Sequence, residues 1–447
     1  MTLVDELPLP AEEHTKTTAG NYFVGNYPPF AYWNAAGAEI ARAAVAQPPV
    51  AGTPMGIYVH LPFCRRRCHF CYFRVYTGRD ARQDRVTQYL DAVFQEADLY
   101  HQTPLLAGRR PRYVYFGGGT PSFLSIEQLT RLFTGLQRHF PWSECDEIAF
   151  ESEPGTLTDE KLHALHDLGV TRLSLGVENF DDEILRSNGR AHLSKEIYRA
   201  YEVARAAGFQ QINVDLIAGM LNETEANWRE CVRKVIDMGP ECVTIYQLEV
   251  PYNTTLYQEM HEKGQIVAPV ADWPTKRAWV DYAFSELERA GYTITSGYTA
   301  IRNPSVNRFM YREYLWRGAD MMALGVASFG YFRDTHYQNE KDFGPYVERL
   351  ARGELPIARG MALSDDDRLI REFILLLKLG QVEAAYFQDK FGVDIFMRFA
   401  RPLARHAMAG QLVMDNGRVT LTRQGLLRVD ELLHEFFRPE HRGTRYT

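Results

Sequence analysis

The chain has 447 residues, 45% hydrophobic and 24% charged, with a formal net charge of −7, so it is globular and long enough for two or more units. The negative balance argues against nonspecific nucleic-acid binding, and no apolar run reaches the roughly eighteen residues that span a bilayer. The acidic start MTLVDELPLPAEEHTKTTAG lacks the pattern of a secretory signal, which makes the cytoplasm, where cysteines stay reduced, the expected location.

In chain order, the first marked segment is GNYFVGNYPPFAYW, Gly20 to Trp33. It reads as an apolar strap, with a substrate-covering element as the alternative. A short strand, Gly56 to Leu61, leads into HLPFCRRRCHFCYF, which holds three of the six cysteines within eight residues. A helix is expected from about Asp80 to Tyr100. Strand Tyr113 to Phe116 ends in the triple glycine Gly117, Gly118, Gly119, followed by Thr120. Ser125 opens the next helix, with Gln128 placed to complete a capping box. Strand Glu147 to Ser152 precedes a helix closed by Gly169. Strand Arg172 to Val177 precedes the amphipathic SKEIYRAYEVARAAG. Strand Gln211 to Ile217 precedes a helix ended by Gly239, and strand Cys242 to Leu248 follows. This alternation predicts parallel strands with helices on one outer face, a partial (β/α)6 barrel. Chemistry in such barrels gathers at the C-terminal strand ends.

The cysteines Cys64, Cys68 and Cys71 have the spacing C-x3-C-x2-C. Structural zinc wants four ligands, and Cys145, Cys231 and Cys242 are isolated small hydrophobes. Three thiolates suit a 4Fe-4S cubane whose fourth iron stays open. Arg65, Arg66 and Arg67 either offset cluster charge or form a solvated loop. The glycines let backbone approach a ligand closely, and the segment has no Lys-Ser/Thr of a phosphate loop.

With YVHLPFC, YVYFGGGTPS, FESEPGTLT, RLSLGVENFDDEIL and INVDLIAGM in this order, the chain resembles the radical S-adenosylmethionine (SAM) superfamily, specifically its oxygen-independent coproporphyrinogen III oxidase-like branch. The resemblance covers nearly the whole chain. It implies that Cys64, Cys68 and Cys71 hold a 4Fe-4S cluster. It implies that Gly117, Gly118, Gly119, Thr120, Glu151, Glu178, Arg190 and Asp215 line the site of one or two SAM molecules. Tyr58 and Glu178 are the expected catalytic contacts. His60 flanks the cysteine loop beside Tyr58. Glu153 stands where relatives often carry asparagine or aspartate, and Glu178 where they carry glutamine. Glutamate accepts without donating, so it suits a hydroxyl or ammonium. Phe73 replaces the further cysteine of the heme-pathway decarboxylase.

After the barrel, Ser305 to Phe332 resembles a sheet-like extension with the turn Leu324 to Ser328. Arg308, Tyr311, Arg312 and Trp316 offer contacts for an anionic or planar substrate. The C-terminal part carries amphipathic helices and a hairpin around Asp415-Asn416-Gly417, a winged-helix-like pattern without a nucleic-acid role. The expected division is an N-terminal aromatic extension (1–50), the radical SAM partial barrel (51–300), a sheet-like extension (301–362) and the winged-helix-like domain (363–447).

The resemblance implies reductive SAM cleavage to methionine and a 5′-deoxyadenosyl radical, with a small-molecule substrate and an external one-electron donor such as flavodoxin or ferredoxin. The favoured outcome is two-SAM carbon methylation or cyclopropanation of an unsaturated or aromatic molecule. The alternatives are coproporphyrinogen decarboxylation, heme modification, or a heme chaperone that retains the cluster.

Overall fold

The computed structural model describes residues 23–251, 253–262 and 270–444. The start that was read for a signal lies outside them, as does the first part of the aromatic segment. The chain divides into two compact units. Trp33–Ser364 forms the larger; the described residues of Met1–Tyr32 and Asp365–Thr447 form the smaller.

The larger unit is built on one twelve-stranded sheet. Its centre is six parallel strands: β1 (Met55–Leu61), β2 (Tyr113–Gly118), β3 (Glu147–Ser152), β4 (Arg172–Glu178), β5 (Gln211–Ala218) and β6 (Cys242–Gln247). They lie side by side in chain order. Each step in that direction with a right-handed crossover puts its helix on the same face, which is the (β/α)6 arrangement. Two antiparallel strands, β7 (Tyr292–Ile294) and β8 (Thr299–Arg302), extend the β6 edge. On the other edge β9 (Asp320–Leu324) pairs parallel to β1, and β10 (Phe329–Phe332), β11 (Thr335–Asn339) and β12 (Ile357–Ala362) continue antiparallel. The extension expected from the sequence is thus continuous with the barrel sheet.

Successive strand side chains point to opposite faces, and the sequence writes a different chemistry on each. Ile57, Val59 and Leu61 of β1, Val114 and Phe116 of β2, and Leu173, Leu175 and Val177 of β4 are wholly buried. On this face Phe116 stacks on Phe133 of the helix Ile126–Gln137, ring centroids 4.4 Å apart. The alternate positions carry Tyr58 and His60, Tyr115 and Gly117, Ser174 and Gly176, Asn213 and Asp215, and Thr244 and Tyr246. One face is an apolar seam for helices and the other a polar interior.

The helices begin and end where local chemistry dictates. Ser125 accepts from the backbone of Gln128 at 3.2 Å while the Gln128 side chain accepts from Ser125 N at 3.0 Å. Gly208 and Gly239 close their helices in the left-handed conformation. Ser125→Ala should cost about 1 kcal/mol of stability, measured by chemical denaturation, without affecting ligand binding.

The N-terminal ends of the barrel strands are filled. Glu147 accepts from the backbone N–H groups of Met310 and Tyr311, both at 3.1 Å, and so caps the helix Met310–Leu315. Arg312 donates to Ser296 Oγ at 3.2 Å and Thr299 Oγ1 at 3.1 Å, and lies 5.5 Å from the rings of both Phe309 and Trp316. The Arg172 guanidinium also lies over the Phe309 ring, 4.4 Å from its centre. Arg312 and Trp316 are buried parts of a floor, which corrects their reading as substrate contacts. Arg308 pairs with Glu313 at the surface.

The aromatic segment parts at Tyr32. Within the smaller unit Tyr27 is fully buried, 5.0 Å from the ring of Phe437, and Val24 N donates to Asp430 at 2.9 Å. Within the larger unit the helix Ala35–Val45 packs on β12, where a Cβ on Gly37 would fall 1.8 Å from the Gly360 carbonyl oxygen. The smaller unit also holds the helix Asp365–Leu377 and a three-stranded antiparallel sheet of β13 (Gln381–Glu383), β15 (Arg418–Leu421) and β14 (Leu412–Asp415). The expected hairpin turns at Asn416 and Gly417, both at positive φ.

Candidate active site

The cysteine loop leaves the C-terminal end of β1 and is stitched to the glycine segment after β2. Gly119 N donates to Leu61 O and Thr120 N to Phe63 O, each at 2.9 Å. Thr120 Oγ1 lies 3.3 Å from Cys64 Sγ. A Cβ on Gly119 would come 2.9 Å from the Pro62 backbone, and one on Gly118, at φ +112°, 2.6 Å from the His60 ring. Gly118→Ala should therefore weaken SAM binding roughly tenfold, the factor that 1.4 kcal/mol represents, while the cluster still assembles; calorimetry and iron analysis measure the two separately.

The rest of the loop is clasped from three sides. His69 N donates to Asn188 O at 3.0 Å, and Leu256 N donates to His69 O at 2.9 Å. Arg67 Nη2 donates to Cys71 O at 3.0 Å and Asn253 O at 3.1 Å; Asn253 Nδ2 donates to Tyr72 O at 3.0 Å. Arg65 donates to Gly155 O at 2.5 Å. Of the three arginines weighed as charge or solvent, Arg65 and Arg67 spend donors on backbone carbonyls.

Burial pushes the Cys64 thiol up to about 12 and the Cys71 thiol up to about 11. Among the described residues no three His, Cys, Asp or Glu side chains are grouped to grip a single ion. A cubane spreads its ligands over separate irons. Three soft donors on one loop, with Arg190 Nη1 donating to Cys68 Sγ at 3.1 Å, fit that group. Cys231 and Cys242 are buried elsewhere, and Cys145 donates to Pro111 O at 3.0 Å.

Beside the loop, three carboxylates stand on the interior face of the adjacent strands β3, β4 and β5. Glu151 on β3 accepts from Tyr115 Oη at 2.6 Å and Gly118 N at 3.1 Å. Asp215 on β5 accepts from Ser174 Oγ at 3.1 Å and Asn213 Nδ2 at 2.9 Å. Glu178 on β4 lies 3.5 Å from Arg190. Burial lifts Glu151 and Glu178 to about 7 each, and raises Asp215. Repulsion from Asp215 adds to the lift on Glu151, and repulsion from Asp215 and Glu151 to that on Glu178. A Cβ on Gly117 would lie 3.1 Å from the Glu151 carboxyl, so that glycine keeps the approach open. Tyr246, at the end of β6, is pushed up by burial of its hydroxyl and then by Asp215, Glu151 and Glu178. The group sets three buried carboxylates against one guanidinium, that of Arg190.

Tyr58 and His60 complete this side, with Tyr58 Oη 2.9 Å from His60 Nδ1. Burial holds His60 down at about 4, so the ring is neutral. Glu153 points elsewhere: it lies 2.8 Å from His192 Nδ1 and accepts from Gly155 N at 3.0 Å. The sequence reading missed Tyr115, Ser174 and Asn213, which hold the carboxylates. Their signal was the strand alternation, which places them on the same face as Glu151 and Asp215. It also missed Asn253, whose contact with the loop joins segments 181 residues apart.

The family model of the radical SAM superfamily matches residues 58–235. Curated relatives match across nearly the whole chain. An oxygen-independent coproporphyrinogen III oxidase of Helicobacter pylori is 28% identical over 86% of this chain and 86% of its own. The heme chaperone HemW of Bacillus subtilis is 29% identical over 85% of this chain and 98% of its own. The solved structure of the Escherichia coli coproporphyrinogen III oxidase superposes with a TM-score of 0.80 at 24% identity, covering 93% of this chain and 96% of that one. Residues 58–235 thus resemble the radical SAM superfamily. Over most of its length the chain is similar to the branch that contains the oxygen-independent coproporphyrinogen oxidases and HemW.

Proposed function

We propose that the protein is a radical SAM enzyme acting on a tetrapyrrole, with oxidative decarboxylation of a porphyrinogen propionate as its reaction. The observation that carries the SAM site is the pairing of a three-cysteine loop with three buried carboxylates faced by one guanidinium. SAM brings a sulfonium and an ammonium, the charges such a cradle lacks. Cys64, Cys68 and Cys71 would hold the 4Fe-4S cluster, and Glu151, Glu178 and Asp215 would accept from the SAM ammonium and hydroxyls. Gly117, Gly118, Gly119 and Thr120 would let backbone reach the cofactor. When bound, the cluster and SAM together supply a 5′-deoxyadenosyl radical. Tyr58, held by neutral His60, would orient the cofactor side of the pocket.

The substrate class rests on the relatives. The coproporphyrinogen oxidases match along most of their own length, beyond the residues of the superfamily model. This favours tetrapyrrole chemistry over the methylene transfer expected from the sequence. One observation keeps methylene transfer as a second reading. Phe73, 47% exposed, stands two residues after Cys71, where the resemblance places a further cysteine in the decarboxylase.

Anaerobic turnover with SAM deuterated in its methyl group tests both. With coproporphyrinogen III, carbon dioxide release and unlabelled product are expected. Deuterium in the product of an unsaturated substrate would replace this reading with methylene transfer. Stoichiometric heme binding without turnover would replace it with heme trafficking. Among the described residues no helix is long and apolar enough to cross a membrane, and a cytoplasmic enzyme reduced by a flavodoxin- or ferredoxin-type donor remains the working picture.

A further inference from the structure

Arg190 touches a sulfur of the cysteine loop directly. Arg190 donates from Nη1 to Cys68 Sγ at 3.1 Å and from Nη2 to Gly176 O at 2.5 Å, with Glu178 Oε1 3.5 Å from Nη2. The Arg190 and Glu178 side chains are only 10% and 12% exposed. Two backbone features build this arrangement. Glu178 sits at φ +65°, beside a register shift between Gly176 and Glu178 where β4 meets β5. A bulge of this kind re-aims a side chain, and a non-glycine residue in the left-handed region is strained. A Cβ on Gly176 would lie 3.0 Å from Glu178 Oε1 and 3.3 Å from Arg190 Nη2, so glycine leaves the pair its room.

We propose that Arg190, steered by Glu178, sets the reduction potential of the cluster through its hydrogen bond to the Cys68 sulfur. The inference rests on the three-cysteine cluster of the proposed function. A charged donor on a ligand sulfur withdraws electron density and favours the reduced cluster, so it raises the potential. Toward the cluster, Glu178 acts only through Arg190: its carboxylate helps fix the guanidinium with one fork on the Gly176 carbonyl and the other on sulfur. Lysine keeps the charge but cannot bridge both acceptors.

The test is a redox titration of the anaerobically reconstituted full chain, read by electron paramagnetic resonance of the reduced cluster. Arg190→Gln and Arg190→Lys should both move the midpoint to more negative potential, glutamine further than lysine. If Arg190→Gln fails to retain iron, Arg190→Lys still gives the midpoint. The shift on Arg190→Gln should shrink in a Glu178→Gln background, where the guanidinium is no longer steered. Unchanged midpoints in iron-replete variants would overturn the inference and leave the proposed function standing. An equal shift in both backgrounds would remove Glu178 from it. No 4Fe-4S cluster in the wild-type chain would overturn the proposed function and this inference together.

Discussion

Cys64→Ala, Cys68→Ala and Cys71→Ala should each abolish SAM cleavage, dropping 5′-deoxyadenosine formation to the uncatalysed background. Each removes one of three thiolates from a group that has no fourth cysteine nearby to replace it. Iron and sulfide analysis after anaerobic reconstitution should fall with activity. The fold should persist, because the loop is tied to Asn188, Asn253 and Leu256 through backbone contacts that involve no sulfur. Cys145→Ala, Cys231→Ala and Cys242→Ala should keep the cluster. An alanine variant of the triad that cleaves SAM at the wild-type rate would remove the central assignment.

SAM affinity should rise with pH through about 7. Burial lifts Glu151 and Glu178 to about 7, so both are largely protonated below it and poor partners for an ammonium. Each proton that must leave changes affinity on the order of tenfold per pH unit below that value. The two groups lie in one cluster and titrate together. Stability of the SAM-free protein should run the other way. An ordinary glutamate titrates at 4.5. Between there and about 7 the folded protein holds protons that the unfolded chain has shed, so stability falls as pH rises across that window. Glu151→Gln should flatten this slope by up to about 1.4 kcal/mol per pH unit and weaken SAM binding above pH 7. Denaturant melts and anaerobic calorimetry between about pH 5.5 and about pH 7.5 measure both effects. A flat affinity profile over that range would mean that other groups hold the cofactor.

Local chemistry made much of the molecule legible. The Ser125 capping box, the closing glycines and the bounds of β3 all follow from a few adjacent residues, and the structure has them as read. The cysteine spacing and the glycine segment are also local signals. The parallel pairing of β9 with β1 was hidden, because nothing in DMMAL names a partner more than 250 residues earlier. The helix Ala35–Val45 was passed over beside a run of aromatics, although Asn34 caps it at Gly37 N, 2.9 Å away. Glu153 resembles its neighbour Glu151 in sequence, yet it turns to His192 because Glu153 begins the turn after β3 instead of sharing the interior face. The path of Arg190 to Cys68 depends on the positive φ of Glu178, which composition does not announce.

The floor under the barrel has a consequence for traffic. Glu147, Arg172 and Arg312 occupy the strand starts as buried groups, with partners of their own. Moving any of them aside to pass a molecule would strip a charge of its contacts without giving it water. Among the described residues this end of the strands is therefore closed to passing molecules, and the cysteine loop and the carboxylates lie towards the opposite end.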